Sequence, residues 1–296
     1  MEILISAMLP VALVALVGFG VGRSFELDMQ TLTRLNIYAL LPALVLTSLA
    51  QTTLALGSAI AIVASFLLNT VVLYLLAVGL SRRLDFSVDE QKGLIAIVMF
   101  SNVGNLGLPF ILFALGETGL ERAVVYLVGS SVMIASVFPI VLKGAGLRAG
   151  LNVTLRLPVF WAALVGLGLQ AVQGAFPLPL ERGMALLGEG AIPVALLTLG
   201  VQLARTELVF GRYELLGAGL RLGVAPLLAY GIGTAVGLQG LDRQVLVLQA
   251  AMPVAVNSLI WVTELGGDRT RVARTIVLST FCSVFTLPVV LWLSGR

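Results

Sequence analysis

The sequence predicts an all-α integral membrane protein of ten transmembrane helices, arranged as two inverted five-helix repeats in which helices four and nine are broken and cross. Three observations predict this class: an apolar composition, basic residues concentrated in alternate connections, and motifs that recur between the two halves. Of the 296 residues, 59% are hydrophobic and 11% are charged, with a mean hydropathy of +1.06. A soluble domain carries about 25% charged residues, so we expect a lipid surrounding and no soluble domain.

Long apolar runs define the ten spans. The hydrocarbon core of a bilayer requires about 20 apolar residues per helix. Such runs cover residues 3–21, 32–50, 55–80, 93–115, 123–142, 157–173, 184–203, 214–237, 244–264 and 272–293. The first run follows Met1 and Glu2 without the basic region of a cleavable signal peptide. It is therefore predicted to be a membrane span.

Basic residues predict the orientation of the spans. Fourteen of the 18 Lys and Arg residues lie in or beside the odd-numbered connections: Arg23, Arg34, Arg82, Arg83, Lys92, Lys143, Arg148, Arg156, Arg205, Arg212, Arg221, Arg269, Arg271 and Arg274. Lys and Arg are retained on the cytoplasmic side, so both termini should lie outside. Arg221, near the start of span eight, is expected to snorkel to the cytoplasmic surface. The scatter of these residues argues against a nucleic-acid partner, which would require one basic patch.

Recurring motifs indicate an internal repeat. Residues 9–21 share eight identities with residues 157–169, including Leu-Pro-Val and Ala-Leu-Val-Gly. Pro42 and Thr47 recur as Pro193 and Thr198 at a similar offset. The predicted repeats are therefore residues 1–145 and 146–296. Because each has five spans, the second must be inverted relative to the first, which is a common construction in secondary transporters.

Span four contains helix-breaking residues near its middle. Asn102, Gly104, Asn105, Gly107 and Pro109 interrupt an otherwise apolar segment. Proline removes a backbone donor and clashes with the preceding turn, whereas asparagine can satisfy freed backbone groups. Irregular backbone at membrane depth is tolerated where protein or a watery cavity covers it. We therefore expect a substrate-binding break here, with ordinary helix kinking as the alternative.

Span nine carries the corresponding break in the second half. Gln249, Pro253, Asn257 and Ser258 lie around it, and Gln249 is expected to line a cavity. Paired breaks in corresponding spans point to a substrate site. The N-terminal ends of the second half-helices would favour an anion there. The facing C-terminal carbonyl groups could instead hold a cation.

The remaining polar residues indicate which coupling and catalytic chemistry the protein can carry out. Glu189 lies within span seven, four residues before Pro193, and could carry a coupling proton. Alternatively it lies near the outer end of its helix, in contact with water. The chain has no histidine, and Cys282 cannot form an intrachain disulfide. The sequence lacks a serine elbow and has no aspartate within a predicted span, so we expect neither an enzyme nor a metal or cofactor site.

These motifs resemble a known family. The ten-span repeat, Pro42 within Ala39–Leu44, the segment from Asn102 to Pro109, and Pro253 within Met252–Ala255 resemble the bacterial branch of the auxin efflux carrier family over essentially the full chain. Plant members of that family carry a long central cytoplasmic loop. Here about 15 residues join spans five and six, which is consistent with a bacterial, inner-membrane member.

The resemblance implies a fold related to bile-acid sodium symporters and to sodium/proton antiporters. Its broken helices would cross at the midplane, and the helices would divide into a scaffold and a moving transport unit. Asn102, Gly107, Pro109 and Pro253 would occupy the crossing. The resemblance also implies homodimers and small organic anions as substrates, such as malonate, malate or auxin-like acids. We expect mainly transport that is driven by protons or by the membrane potential. Sodium-coupled transport of the bile-acid type is the alternative, and a channel is a further, less favoured alternative.

Overall fold

The computed structural model describes residues 2–143, 147–174, 177–205 and 207–295, and this part of the chain is helical. Its α-helices are α1 Glu2–Ser24, α2 Met29–Leu35, α3 Leu41–Ala50, α4 Leu56–Arg83, α5 Val88–Met99, α6 Leu108–Lys143, α7 Leu147–Thr154, α8 Pro158–Ala171, α9 Leu178–Ala204, α10 Arg212–Gly219, α11 Ala225–Val236, α12 Gly240–Ala250, α13 Ser258–Leu265 and α14 Arg269–Ser294. Among the described residues no β-strand occurs, which agrees with the predicted all-α class.

Seven helices of the described chain are long and apolar enough to cross a membrane. They are Ala7–Ser24, Met29–Ala50, Leu56–Arg83, Val103–Val137, Leu178–Ala204, Arg212–Val236 and Arg269–Ser294. The predicted span six is a shorter apolar helix, Pro158–Ala171. Spans four and nine are divided into shorter helices, and the second part of span four is merged with span five across a kink at Gly116, where φ is +68°. The count therefore differs from ten where helices are short, divided or merged.

Three π-helical segments share one sequence signature. Asn36–Leu40, Val103–Gly107 and Leu220–Val224 each end two residues before a proline, namely Pro42, Pro109 and Pro226. A proline ring clashes with the carbonyl group four residues earlier and has no N–H group to donate. A π-helical turn takes up one additional residue and is frequently found at functional sites. Helices α1, α9 and α14 each contain an internal proline without such a segment.

The chain divides into two compact units. The first comprises Met1–Met8, Gly57–Val103 and Thr206–Arg296, and the second comprises Leu9–Leu56 and Gly104–Arg205. Each unit takes segments from both halves of the sequence. The two units therefore do not correspond to the two predicted repeats. The repeat boundary near residue 145 remains a prediction.

Glycines allow very close helix packing in the second unit. A Cβ atom on Gly18 of α1 would overlap the Leu197 carbonyl oxygen of α9, and one on Gly200 of α9 would overlap the Ala15 carbonyl oxygen of α1. On α8, a Cβ atom on Gly166 would lie 2.9 Å from the Leu46 carbonyl oxygen of α3. Small residues of this kind let helix backbones approach each other within membranes. At these glycines, α1 meets α9 and α8 meets α3 backbone to backbone.

The first unit surrounds helix α5. A capping box begins this helix, because the Ser87 hydroxyl accepts from the Glu90 N–H group and the Glu90 carboxylate accepts from the Ser87 N–H group. All residues from Gly93 to Met99 are buried. Helices α10, α13 and α14 pack against α5. The C-terminal part of α5 therefore ends inside the first unit.

Candidate functional site

The two predicted breaks are present as interruptions of the helices. Helix α5 ends at Met99, and Phe100 adopts an extended conformation with φ −102° and ψ 98°. The chain then forms the π-helical segment Val103–Gly107 before α6. In span nine, α12 ends at Ala250 and α13 begins at Ser258. Seven non-helical residues therefore separate the two parts of span nine.

The two interruptions pair with each other inside the first unit. Ser101 and Val254 form an isolated antiparallel β-bridge. The Asn102 N–H group donates to the Pro253 carbonyl oxygen over 2.8 Å, and the Ala255 N–H group donates to the Phe100 carbonyl oxygen over 2.9 Å. Backbone groups at membrane depth must find partners within the protein. Each break supplies the hydrogen bonds that the other lacks, so the pair stabilises the non-helical geometry of both.

Helix α14 also contributes a hydrogen bond to this pairing, through Ser279. The Ser279 hydroxyl accepts from the Val254 N–H group over 3.1 Å and donates to the Ile276 carbonyl oxygen. Ser279 is fully buried. A hydroxyl group can accept and donate at once, so this serine satisfies one backbone group of the break while remaining bonded to its own helix.

Arg221 caps the first half-helices of both broken spans. Its guanidinium group donates to the carbonyl oxygens of Val98, in the last turn of α5, and of Ala250, the last residue of α12. It also donates to the Met252 carbonyl oxygen over 3.2 Å. Arg221 is only 2% exposed. The expectation that it snorkels to the surface is therefore wrong, because three buried carbonyl groups offer it partners within the protein.

Unpartnered amide groups lie in and next to the two interruptions. Asn102 is 3% exposed, and its Nδ2 atom has no protein partner. Gln249 is fully buried, and neither its Oε1 nor its Nε2 atom has one. Leaving a buried donor or acceptor unsatisfied costs about 1–3 kcal/mol. These two side chains therefore offer hydrogen-bond donors and an acceptor to a bound molecule.

Comparisons with known proteins identify the family. The family model described as membrane transport protein, that of the auxin efflux carriers, matches residues 3–153 and 147–291. The chain belongs to this family. It is 30% identical over 278 residues to an uncharacterized transporter of Methanothermobacter thermautotrophicus, covering 90% of this chain and 89% of the relative.

Two further relatives are also transporters by name. The chain is 27% identical over 224 residues to an uncharacterized transporter of Methanocaldococcus jannaschii, covering 70% of each chain. It is 27% identical over 208 residues to a Rhizobium meliloti protein provisionally named a malonate transporter, covering 66% of this chain and 64% of the relative. Membership of this family makes the protein a membrane transporter and not an enzyme.

The remaining predicted residues of the broken spans have different environments. Gly104 and Asn105 are half-buried, whereas Gly107 and Pro109 are buried, and all four belong to the second unit. In span nine, the Asn257 Oδ1 atom has no partner, but the Ser258 hydroxyl donates to the Ala255 carbonyl oxygen over 2.6 Å. The first N–H groups of α13 are also occupied, because Ser258 and Leu259 donate to carbonyl oxygens three residues earlier. Asn102 and Gln249 therefore offer an anion better donors than the N–H groups at the start of α13.

Glu189 belongs to a different unit from Asn102 and Gln249. It is the twelfth residue of the 27-residue helix α9, in the second unit, and it is exposed. The adjacent Gly188 is buried, and a Cβ atom added there would lie 3.0 Å from the Leu44 backbone. Helix α9 therefore packs on one side of Glu189 and leaves the carboxylate on an open face. A coupling role for this residue remains a prediction.

Sequence reasoning missed two members of the site. The position of Arg221 near a predicted boundary predicts a helix end, and nothing in the sequence indicates a role for Ser279. For Arg221 a signal existed, since a charged residue within a predicted span is a functional candidate by default. Pro226, five residues later, marks the π-helical turn that contains the arginine. No comparable signal distinguishes Ser279 from the other hydroxyl residues of span ten.

Proposed function

We propose that this protein carries a small organic anion across the membrane by alternating access. The observation that supports this most is the pairing of two broken helices, with the buried amide groups of Asn102 and Gln249 beside it. Substrate sites of secondary transporters are typically formed by such discontinuous helices near the bilayer midplane. Amide N–H groups can donate to a carboxylate, which favours an anion at these side chains.

The proposed substrate is a small carboxylate such as malonate, malate or an auxin-like acid. The relative from Rhizobium meliloti is provisionally named for malonate. The two buried amide side chains, Asn102 and Gln249, offer only a few donors and one acceptor, which suits a compact acid. We further propose that the protein resides in the cytoplasmic membrane with both termini outside, and that it can form a homodimer.

The ten-span inverted repeat is the architecture we propose for this function. The paired breaks support it, because they fall in corresponding spans of the two halves. The recurring prolines also support it, because Pro42 and Pro193 are each followed five residues later by a threonine, Thr47 and Thr198.

We propose a proton gradient or the membrane potential as the driving force, with Glu189 as the proton-coupling residue. Sodium-coupled symport of the bile-acid type is the alternative. It requires oxygen ligands for sodium at the crossing, where both carbonyl and amide oxygens are present.

Uptake into proteoliposomes tests the proposal. Labelled malonate, malate and indole acetate are offered while the proton gradient, the sodium gradient and the potential are imposed one at a time. We expect saturable uptake of at least one acid, loss of that uptake in Asn102→Ala, and normal uptake in the control Asn152→Ala, which alters an exposed asparagine of α7. Glu189→Gln should remove dependence on the proton gradient.

Three outcomes would contradict parts of this proposal. The absence of uptake of any carboxylate would reject the substrate class. Linear, non-saturating flux would indicate a channel. Full uptake in a folded Asn102→Ala protein would reject the site.

A further inference from the structure

Arg221 places a permanent positive charge at the carbonyl ends of two half-helices. Its Nη1 atom donates to the Val98 carbonyl oxygen over 2.5 Å, its Nη2 atom donates to that of Ala250, and its Nε atom donates to that of Met252 over 3.2 Å. A guanidinium group is not deprotonated in proteins and presents its N–H donors in a rigid planar fork. The positive charge at these carbonyl groups is therefore covalently part of the chain, whereas a coupling ion would bind and dissociate during transport.

The carbonyl groups that Arg221 caps belong to a class that binds coupling ions. In transporters with discontinuous helices, unwound carbonyl groups and half-helix C-terminal ends coordinate Na⁺ or H⁺. Each helix C-terminus carries roughly −0.5 elementary charge, so two termini together attract about one positive charge. Helices α5 and α12 end within hydrogen-bond distance of the same guanidinium group. The chain itself supplies the charge that these two ends attract.

The local backbone explains how an arginine reaches this position. The N–H group of Ala225 donates to the Leu220 carbonyl oxygen, five residues earlier, where an α-helix would use the carbonyl oxygen of Arg221. The additional residue of this π-helical turn rotates the residues before it relative to those after it. Arg221 and Leu222 are both buried as a result. Pro226, two residues after the turn, accounts for its presence.

We propose that Arg221 is a built-in substitute for the coupling cation at the crossing. This inference rests on the proposed function and deepens it, because it decides between the two modes of coupling. The carbonyl oxygens of Val98, Ala250 and Met252 are engaged by a cation that cannot dissociate. Transport through this crossing therefore requires no sodium, and any coupling proton binds elsewhere.

Cation rescue of an Arg221→Ala variant tests the proposal. Arg269→Ala is the matched control, because it removes an exposed arginine of the same unit. Melting temperature in detergent and carboxylate uptake in proteoliposomes are measured in choline, in sodium, and in choline with low-millimolar guanidinium, far below denaturing concentrations. The wild type and Arg269→Ala should behave alike in all three media. Arg221→Ala should melt lower in choline and lose uptake about tenfold or more, because buried carbonyl ends lose their counter-charge.

Rescue is the decisive result. Sodium or guanidinium should raise the melting temperature of Arg221→Ala and restore part of its uptake, while leaving the wild type unchanged. Sodium-dependent uptake by the wild type, a sodium-induced rise in its melting temperature, or full stability and uptake of Arg221→Ala in choline would each overturn the proposal. If Arg221→Ala does not fold in any medium, the wild-type measurements still decide, together with Arg221→Lys, which keeps the charge and should remain sodium-independent.

Melting temperature and carboxylate uptake together distinguish a failure of this inference from a failure of the proposed function. If no carboxylate is transported, the proposed substrate class fails. The cation dependence of the melting temperature, which requires no substrate, still tests the role of Arg221.

Discussion

The two compact units of this transporter are stabilised in different ways. In the second unit, helices α1 and α9 meet backbone to backbone at Gly18 and Gly200. In the first unit, helices α5 and α12 are interrupted within their spans. A β-bridge, Ser279 and the guanidinium group of Arg221 stabilise the interruptions. Apolar close packing leaves little freedom for rearrangement. Buried polar groups with unfilled hydrogen-bonding capacity instead require a partner, such as a water molecule, an ion or a bound ligand.

The comparison teaches that stability and function depend on different residues. The glycine contacts of the second unit have no chemistry to offer a substrate, but any added atom there forces two helices apart. The amide groups of Asn102 and Gln249 contribute little to stability, since their Nδ2, Nε2 and Oε1 atoms lack protein partners. Substitutions in the two regions should therefore affect different measurements.

Among substitutions outside the Arg221 contacts, the largest effect on stability is expected for Gly18→Ala. The added methyl group would overlap the Leu197 carbonyl oxygen, which is backbone and cannot turn away. Overpacking of a well-packed core typically costs about 1–3 kcal/mol. The melting temperature in detergent should fall clearly, and the yield of monodisperse protein should fall with it.

Gly20→Ala is the matched control on the same helix. A Cβ atom on Gly20 meets nothing within 4 Å. Alanine in a helix interior is favoured over glycine by roughly 0.5–1 kcal/mol, so this variant should melt at or slightly above the wild-type temperature. Equal destabilisation by both substitutions would show that α1 and α9 do not pack through Gly18.

The opposite pattern is expected for Gln249→Leu. Leucine has a similar volume and removes a fully buried amide group that has no protein partner. Each unsatisfied polar group costs about 1–3 kcal/mol, so the melting temperature should stay constant or rise while carboxylate uptake is lost. Gln239→Leu, at an exposed position just before α12, should leave uptake unchanged. A variant at Gln249 that is unstable, or that transports normally, would contradict the assignment.

Much of this organisation could be predicted from the sequence, for identifiable reasons. Proline, glycine and asparagine have strong local preferences, so the breaks around Asn102 and Pro253 could be located from residue type alone. The family could be recognised for the same reason. The environment of Arg221 could not be predicted, because it depends on two carbonyl ends that lie far away in the sequence and meet only in the folded chain. The exposure of Glu189 could not be predicted from the sequence either, since it depends on how α9 packs.

The smallest effect is expected at the N-terminal end of α5, opposite the end that Arg221 caps. There Arg271 forms a salt bridge of 2.9 Å with Glu90, and its guanidinium group lies over the Tyr213 ring. The Ser87 N–H group donates to the Glu90 carboxylate and lowers its pKa below the usual value, and the Ser87 hydroxyl and Arg271 add to this effect. A carboxylate whose pKa is depressed by folding stabilises the protein above its unfolded pKa, and this contribution is lost as the pH falls through the folded pKa.

Glu90→Gln should therefore lower the melting temperature slightly at pH 7 and not at all at a pH below the folded pKa. An exposed ion pair is typically worth about 0.2–1 kcal/mol, so the difference at pH 7 should be small beside that of Gly18→Ala. Melting curves of both proteins from pH 7 to pH 3 measure it. A difference that persists at the acidic end would mean that Glu90 acts through packing and not through its charge. In that case the surface end of the first unit would be stabilised in the same way as the glycine contacts of the second.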